Sequence, residues 1–520
     1  RSYSENEAEF TAQIYEPPLQ YHFLKRPYTL VPLTAQQVPK PVFLDAQGRT
    51  LPEDAPSEQI ARSVYEIKIK PGIRYQPHPA FAKDAQGRYR YHSLQAEDVG
   101  GKQQISEFKY RGTRELIAAD YVYQIKRLAS PKLSSPILGL MSEYIVGLKE
   151  LGDALDQAAK ANPGHNPDLN AFPLAGAEVV DRYTYRISVK GKYPQFIYWL
   201  AMPFFAPIPW EAEVFYAQPG MEKKNFNLDW QPVGTGAYML TVNDPNRQMV
   251  LEKNPNFHGE AYPTEGDAED VTAGLLKDAG KPLPMVDKVV FSLEKETIPY
   301  WNKFLQGYYD NSGISSDSFD QAVQFSATGD PELTDSMRGK DIELVTAVAT
   351  TLSYIGFNML DPVVGGLSEA KSKLRRAISI AFDHEEFISI FLNGRGIQGQ
   401  GPIPPGIFGY REGAAGINPY VFENDQGQPR RRNIEEARRL LAEAGYPHGR
   451  DAKTGTPLVL YFDTADSGPD AKSRLDWMKK QLAKLDVQLV VRGTDYNRFQ
   501  DKMRKGNAQL FGWGWNADYP

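Results

Sequence analysis

Hydrophobic and charged residues alternate in several segments of the first half of the chain. Residues 62–75 read RSVYEIKIKPGIRY, in which apolar and charged residues alternate up to a turn at Pro71 and Gly72. Residues 179–189 alternate in the same way, and 247–253 form a third such segment. Because the side chains of a strand point alternately to its two faces, this period predicts strands that each bury one face.

Other segments repeat apolar residues every three or four positions. Residues 120–128 place Val122, Ile125 and Leu128 on one side, with Asp120 in the first turn, where a negative charge favours a helix. A second helical face is formed by Leu374, Ala377, Ile378, Ala381 and Phe382. This period predicts amphipathic helices that bury one side.

Both patterns follow one another in the last hundred residues. Asn433 and Glu436 have the spacing of a capping box that begins a helix, and Gly445 and Pro447 end that helix. A strand at 458–462, a helix through 475–485 and a strand at 487–491 come next. This βαβ order predicts a parallel strand pair, so the sequence as a whole predicts an α/β protein with two lobes.

The composition limits the possible functions. The chain has 520 residues, 24% of them charged, and a net charge of −6, which argues against broad electrostatic binding to nucleic acid or to an anionic membrane. It has no cysteine, which excludes disulfides and thiol catalysis and agrees with export. No apolar run is long enough to span a bilayer. The chain begins with Arg1 rather than Met, as after removal of a signal peptide or after truncation.

Two short motifs match those of penicillin-recognising enzymes. Ser368 and Lys371 have the S-x-x-K spacing, and residues 453–455 match K-T-G, which together would make Ser368 an acylated nucleophile. The S-D-N element is absent between them, and residues 453–455 lie in a turn before a predicted strand. A serine hydrolase is therefore the less favoured alternative.

Cofactor and metal motifs receive little support. Gly394, Gly396 and Gly399 have the G-x-G-x-x-G spacing of a dinucleotide loop, but the segment follows a predicted helix rather than a strand. The seven histidines show neither H-x-x-x-H nor HExxH spacing. We therefore predict no cofactor, no metal and no catalytic residue.

The last ten residues, FGWGWNADYP, form the most distinctive segment. They follow a predicted strand near 509–511, and loops at strand ends are favoured ligand sites in α/β lobes. Trp513 and Trp515 would supply apolar walls, and Asp518 would pair with a cation such as the α-amine of a peptide. The alternative is that the tryptophans are core residues and that Asp518 only caps a turn.

The same segment resembles the W-x-A-D-Y-P signature of the family 5 extracellular solute-binding proteins, the substrate-binding partners of ABC importers. Further segments resemble that family's motifs in the same order: 14–17, 65–72, 118–128, 233–238, 252–255, 356–358, 374–383 and 392–394. Each motif alone is weak, but their common order from residue 14 to residue 520 is specific. The chain is identified as a member of this family.

The resemblance implies an α/β, two-lobed periplasmic binding protein fold of the class II-like type, with an extra subdomain on the first lobe. The first lobe would comprise 1–50 and 176–285, the extra subdomain 51–175, and the second lobe 286–520. Because the family continues beyond its signature, the C-terminal remainder of the first lobe is expected to be absent from this sequence.

The implied function is capture of peptides or oligopeptides between the lobes by hinge closure. In peptide-binding members the signature aspartate receives the peptide α-amine, a role that falls here on Asp518. Trp515 and Asn516, with Trp513 close by, would line the pocket, and Glu16 matches a position that faces the ligand. An oligosaccharide, an opine or a metal chelate in the same fold is the alternative cargo.

The resemblance also implies where the protein acts and with which partners. The expected partners are the ligand and the transmembrane subunits of an ABC permease, which would be the only contact with the membrane. We expect no nucleic acid partner, a periplasmic or otherwise extracytoplasmic location, and a monomer.

Overall fold

The computed structural model describes residues 4–163, 166–326, 329–466 and 469–519, without the side chains of 469 and 470. The chain forms two compact units, the first running to Leu293 and including Tyr519, the second comprising Glu294–Asp518. Within the described ranges, no helix has both the length and the apolar character needed to cross a membrane.

The helices of the first unit are α1 (Glu5–Ile14), α2 (Ala96–Gly100), α3 (Ala118–Arg127), α4 (Leu138–Tyr144), α5 (Leu148–Ala161), α6 (Phe196–Trp199), α7 (Trp210–Tyr216) and α8 (Ala268–Thr272). Its strands are β1 (Leu19–Tyr21), β2 (Leu30–Pro32), β3 (Pro41–Leu44), β4 (Thr50–Leu51), β5 (Arg62–Lys68), β6 (Ala177–Asp181), β7 (Thr184–Lys190), β8 (Tyr238–Asp244), β9 (Gln248–Lys253), β10 (Glu260–Ala261), β11 (Pro282–Leu283) and β12 (Lys288–Ser292).

The first unit is built on antiparallel sheets. A five-stranded sheet has the order β4-β3-β5-β7-β6, and a three-stranded sheet has the order β12-β9-β8. The alternation in β5 buries Tyr65 and Ile67, as the pattern predicted. The segment predicted as one strand at 179–189 forms two, β6 and β7, because the chain reverses at Arg182 and Tyr183, where the Tyr183 N–H donates to Asp181 at 2.8 Å.

The helices of the second unit are α9 (Thr297–Leu305), α10 (Phe319–Ala322), α11 (Asp335–Arg338), α12 (Glu369–Ala381), α13 (His384–Leu392), α14 (Ile434–Glu443), α15 (Pro469–Ala483) and α16 (Tyr496–Arg504). Its strands are β13 (Val323–Phe325), β14 (Pro331–Leu333), β15 (Thr351–Phe357), β16 (Phe422–Asp425), β17 (Gln428–Arg431), β18 (Val459–Thr464), β19 (Gln488–Gly493) and β20 (Leu510–Asn516).

The second unit has a four-stranded sheet of order β15-β20-β18-β19 at its centre. β18 runs parallel to β19 and to β20, which confirms the predicted βαβ unit, whereas β15 is antiparallel to β20. The core of this unit contains residues of the predicted helix faces, including Leu374 of α12, Leu440 of α14 and Leu482 of α15, together with Leu460 and Leu510 of the sheet.

The predicted capping box of α14 is only half formed. The side chain of Asn433 accepts a hydrogen bond from the Glu436 N–H at 2.9 Å, so the predicted start of the helix is correct. The carboxylate of Glu436 does not return a bond to Asn433 but accepts from Arg432 at 3.2 Å. A nearby guanidinium is a stronger donor for a carboxylate than a backbone amide, which accounts for the difference.

Candidate functional site

The predicted site residues lie in both units. Trp513, Trp515 and Asn516 are on β20, and Asp518 follows the end of that strand, all in the second unit. Glu16 follows α1 in the first unit. The prediction of a loop over 511–520 was wrong, because the strand continues to Asn516 and pairs with β15 along its whole length.

Glycine and aromatic residues alternate along β20, so its two faces differ. Leu510 and Gly512 face the core, and a Cβ at Gly512 would lie only 2.9 Å from the ring of Phe462. Trp513 and Trp515 lie on the opposite face, since side chains two apart in a strand share a face. Neither tryptophan belongs to the buried core of this unit.

The two tryptophans form part of a fixed aromatic surface. The rings of Trp513 and Trp515 are stacked with centroids 5.7 Å apart and planes at 24°. Trp515 Nε1 donates to the hydroxyl of Tyr354 on β15 at 2.9 Å, and Phe499 of α16 packs edge-on against Trp513. Trp515 remains 45% exposed, which leaves an apolar surface available to a ligand.

The chain beyond the tryptophans is held against β15 up to the candidate aspartate. Asn516 Oδ1 accepts from the hydroxyl of Thr351 at 2.6 Å, and the Ala517 N–H donates to the carbonyl of Thr350 at 2.9 Å. Asp518 follows directly and is exposed. Its carboxylate thus lies at the carboxyl end of a strand that is parallel to β18, the edge of an α/β sheet where ligands commonly bind.

Two further residues beside β20 were not predicted from the sequence. Asp463 on β18 is 1% exposed, opposes Phe511 in the strand register and forms an ion pair with Lys502 of α16. This ion pair links α16 to β18 of the sheet. Phe499, which contacts Trp513, is on the same helix. A single aspartate within the apolar strand LVLYFD was the only sequence signal, and the lysine lies 39 residues further along the chain.

Glu16 is positioned by close packing of the chain behind it. The Gly236 N–H donates to the carbonyl of Ile14 at 2.9 Å. A Cβ at Gly234 would lie 1.9 Å from that same oxygen, and one at Gly236 would lie 2.4 Å from the carbonyl oxygen of Gln13. Only glycine lets the segment 233–238 approach the end of α1 so closely, which fixes the backbone that carries Glu16.

Glu16 itself is buried and paired. Its side chain is 5% exposed, and Oε1 accepts a hydrogen bond from His258 Nε2 at 2.8 Å. Tyr121 donates its hydroxyl to the Glu16 carbonyl at 3.4 Å. Burial raises the pKa of Tyr121 well above its usual range, and the negative charge of Glu16 acts in the same direction. His258 was not predicted as a site residue.

The hydrolase motifs do not form a catalytic arrangement. Ser368 is exposed and caps α12 by accepting from the Lys371 N–H at 3.4 Å. Lys371 Nζ donates instead to the carbonyls of Pro362 and Val363, at 2.7 and 2.6 Å. The ammonium group is thus directed away from the hydroxyl that it would have to activate.

Neither the glycine-rich segment nor any cluster of acidic and histidine side chains in the described residues forms a further site. Gly394, at φ +74°, follows the end of α13, so the G-x-G-x-x-G segment is a helix exit as its sequence position indicated. Among the residues that the structure describes, no three His, Asp or Glu side chains come close enough together to hold a metal ion.

Comparison with known proteins identifies relatives with this fold. Residues 109–520 match the profile for the middle region of the bacterial extracellular solute-binding proteins, family 5. The chain is 21% identical over 471 residues to the periplasmic oligopeptide-binding protein OppA of Salmonella typhimurium, covering 90% of this chain and 72% of OppA. It is 22% identical over 370 residues to heme-binding protein A of Haemophilus influenzae, covering 69% of this chain and 57% of that protein.

Solved structures give the same result at the level of the fold. The periplasmic binding protein DppA of Helicobacter pylori, in complex with the peptide STSA, aligns with a TM-score of 0.61 at 17% identity, covering 99% of this chain and 75% of DppA. The predicted α/β fold class of the two-domain periplasmic binding proteins is therefore confirmed. With a family profile that matches most of its length, this chain belongs to the bacterial extracellular solute-binding proteins, family 5.

Proposed function

We propose that this protein captures peptides or oligopeptides outside the cytoplasm and delivers them to the permease of an ABC importer, without covalent chemistry. The observation that carries the proposal is that two residues near the end of β20 are exposed: Trp515, with its apolar ring, and three residues later Asp518, with its carboxylate. An apolar wall beside an anion fits one end of a peptide, whose first side chain is variable and whose α-amine is cationic.

Asp518 would receive the α-amine through a charge-assisted hydrogen bond. Such bonds are shorter and stronger than neutral ones, and they strengthen when closure excludes water. The rings of Trp515 and Trp513 would accept different side chains, because stacking and apolar contact do not require one chemical group. The remaining peptide backbone would be held by strand-like hydrogen bonds, which tolerate many sequences.

Glu16 is proposed as the ligand-facing residue of the first unit. Its position is fixed by the glycine segment 233–238 and by His258, so the carboxylate is in place before a ligand arrives. Preorganisation of this kind raises affinity, because less side-chain freedom is lost on binding. The names of the relatives support a peptide cargo, since OppA is called oligopeptide-binding and the DppA structure contains a peptide.

Native mass spectrometry of the purified protein, followed by release and sequencing of any retained ligand, tests this proposal. Heterogeneous short peptides that disappear in Asp518→Ala are the expected result. Asp501→Asn is the matched control, because Asp501 is an exposed aspartate of α16 that pairs with Lys505 at 2.7 Å.

A single non-peptide mass would contradict the proposal and assign the function to that cargo. Heme is one such mass to look for, because the Haemophilus relative is named as heme-binding. Covalent labelling of Ser368 by a fluorescent β-lactam would contradict the absence of covalent chemistry.

A further inference from the structure

His258 lies between β9 and β10, and the function proposed above uses it only to hold Glu16 in place. Its Nε2 donates to Glu16 Oε1 at 2.8 Å, and the two side chains are 17% and 5% exposed. We call these two residues the Glu16–His258 pair. Because the pair is withdrawn from solvent, a change in its charge has a larger effect than it would have at the surface.

The second carboxylate oxygen of Glu16 has a different environment. Oε2 is shut off from solvent and has no hydrogen-bond partner within the described part of the chain. A buried acceptor without a donor is destabilising, and more so when it is charged. Glu16 Oε2 can therefore accept a hydrogen bond from a ligand donor that is buried together with the pair.

The titratable neighbours of the pair are either tyrosines that stay neutral or charged groups that already have partners. The phenols of Tyr15 on the adjoining segment, Tyr75 after β5 and Tyr121 on α3 have pKa values raised by burial, so they stay neutral around pH 7. Of the charged groups on the strands next to His258, Glu260 accepts from Gln20 at 2.5 Å, and Lys253 pairs with Asp287 at 2.7 Å. Histidine is the side-chain type in this set that changes charge between pH 5 and 8.

We propose that His258 is a positioning residue whose protonation makes ligand capture at Glu16 depend on pH. The inference rests on the proposed function, in which Glu16 faces the peptide. With neutral His258 the pair carries one negative charge and attracts a cationic or N–H donor group of the ligand. When His258 is protonated, the pair is neutral, and Glu16 stays bonded to His258 rather than to the ligand.

The sign of the effect follows from this competition. A cationic ligand group near Glu16 disfavours the protonated form of His258, so binding releases a proton. Affinity should therefore be higher at pH 7.5 than at pH 5.5. Release of one full proton corresponds to at most about a tenfold gain in affinity per pH unit.

Isothermal titration of the full chain with Ala-Ala-Ala, Lys-Ala-Ala, Ala-Lys-Ala and Ala-Ala-Lys tests the proposal. Each peptide is titrated at pH 5.5, 6.5 and 7.5 in two buffers of different ionisation enthalpy, which counts the protons released. At least one lysine peptide should bind several-fold more tightly at pH 7.5 than at pH 5.5, with measurable proton release.

The variants distinguish positioning from a structural role. His258→Gln keeps an N–H donor for Glu16, so it should retain the affinity at pH 7.5 and lose the dependence on pH. His258→Leu removes the donor and should weaken binding at every pH. His448→Asn is the matched control, because His448 is exposed in the second unit and its φ of +52° suits asparagine. An unchanged pH dependence in His258→Gln overturns the proposal.

A separate measurement keeps the pair testable if no peptide binds. Absence of binding by the wild-type protein would contradict the peptide function itself. In that case the side-chain ¹H–¹⁵N spectrum of the ligand-free protein reports on the pair. The histidine signal that His258→Gln removes should shift in Glu16→Gln, whereas an unmoved signal would overturn the pairing on which the inference depends.

Discussion

At the scale of single residues, the candidate binding groups differ in their positions in the fold. Trp515 and Asn516 each donate or accept a hydrogen bond across to β15, and Glu16 is held by His258. Asp518 lies beyond the last strand residue and is exposed. The first three are suited to form fixed walls, and Asp518 is suited to meet a ligand that arrives from solvent.

Asp518→Asn should weaken the binding of peptides that have a free amino terminus. A hydrogen bond to a charged group contributes about 1.5–3 kcal/mol, so the expected loss is about 10- to 150-fold. N-acetylated peptides should bind the wild-type protein and the variant equally. Isothermal titration of both peptide forms makes a double-mutant cycle, and an equal loss for the acetylated form would contradict the assigned contact.

His78 predicts a dependence of stability on pH. Its Nδ1 accepts from the Ala80 N–H at 3.2 Å and its Nε2 donates to the hydroxyl oxygen of Tyr216 at 3.0 Å, which is the arrangement of a neutral ring. Burial lowers the pKa of His78 to about 3. Between about pH 3 and 6.5 the unfolded chain binds a proton that the folded protein does not, so stability falls as the pH falls.

The expected loss from His78 is about 2 kcal/mol between pH 7 and pH 5. Urea unfolding of the wild-type protein and of His78→Gln at both pH values measures it. The variant should be less stable at pH 7 but should change less between the two pH values, and His448→Asn should behave like the wild-type protein. An identical change in His78→Gln would contradict the burial of a neutral histidine.

At the scale of elements, local patterns located several helices and strands correctly, although 179–189 was predicted as one strand and forms two, and the end of β20 was predicted wrongly. β5, α3, α12 and the β18–α15–β19 unit were found from the sequence because their periods depend only on neighbouring residues. The true end of β20 depends on β15, which lies more than 150 residues earlier. Its alternating glycines resemble a loop until the partner strand is known.

The candidate site shows the same division between local and distant information. The four residues of the C-terminal segment were chosen from one short motif, and Glu16 came from another. Tyr354, Phe499 and His258 were missed, because each touches a chosen residue only through folding of a distant segment. Single aromatic or histidine residues in unremarkable sequence give no signal of such contacts.

Gly234→Ala should destabilise the first unit. Its Cβ would lie 1.9 Å from the carbonyl oxygen of Ile14, and backbone on both sides would have to move. Forced packing of this kind typically costs about 1–3 kcal/mol or more. Gly139→Ala on α4 is the control, because a Cβ there meets nothing within 4 Å and alanine is the better helix former. Equal midpoints in urea unfolding would contradict the close approach.

At the scale of the whole molecule, the two units each have a core of their own. The largest buried cluster of the first unit spans Leu19 to Val233, and that of the second spans Val364 to Leu510. Chains with separate cores often unfold in more than one step. The ligand-free protein is therefore expected to show two transitions in scanning calorimetry.

A bound peptide should change that behaviour in proportion to its concentration. At a hundred times Kd, a ligand that binds only the folded protein stabilises it by about 2.7 kcal/mol, so at least one transition should move to higher temperature. Trialanine at increasing concentration provides the measurement. A shift confined to one transition would indicate that only the unit unfolding in that transition binds the ligand, and no shift in either would contradict peptide binding.

The alternation along β20 divides its side chains between two faces, one that packs against the interior and one that is presented outward. Leu510 and Gly512 are committed to fitting against the interior, whereas the odd positions, Phe511, Trp513 and Trp515, are presented on the other side. A combinatorial library restricted to the odd positions should therefore retain expression while its members diverge in cargo preference. Diversity introduced at Leu510 and Gly512 would be removed by misfolding before any selection for binding. This strand is thus a natural starting point for building sensors with altered specificity.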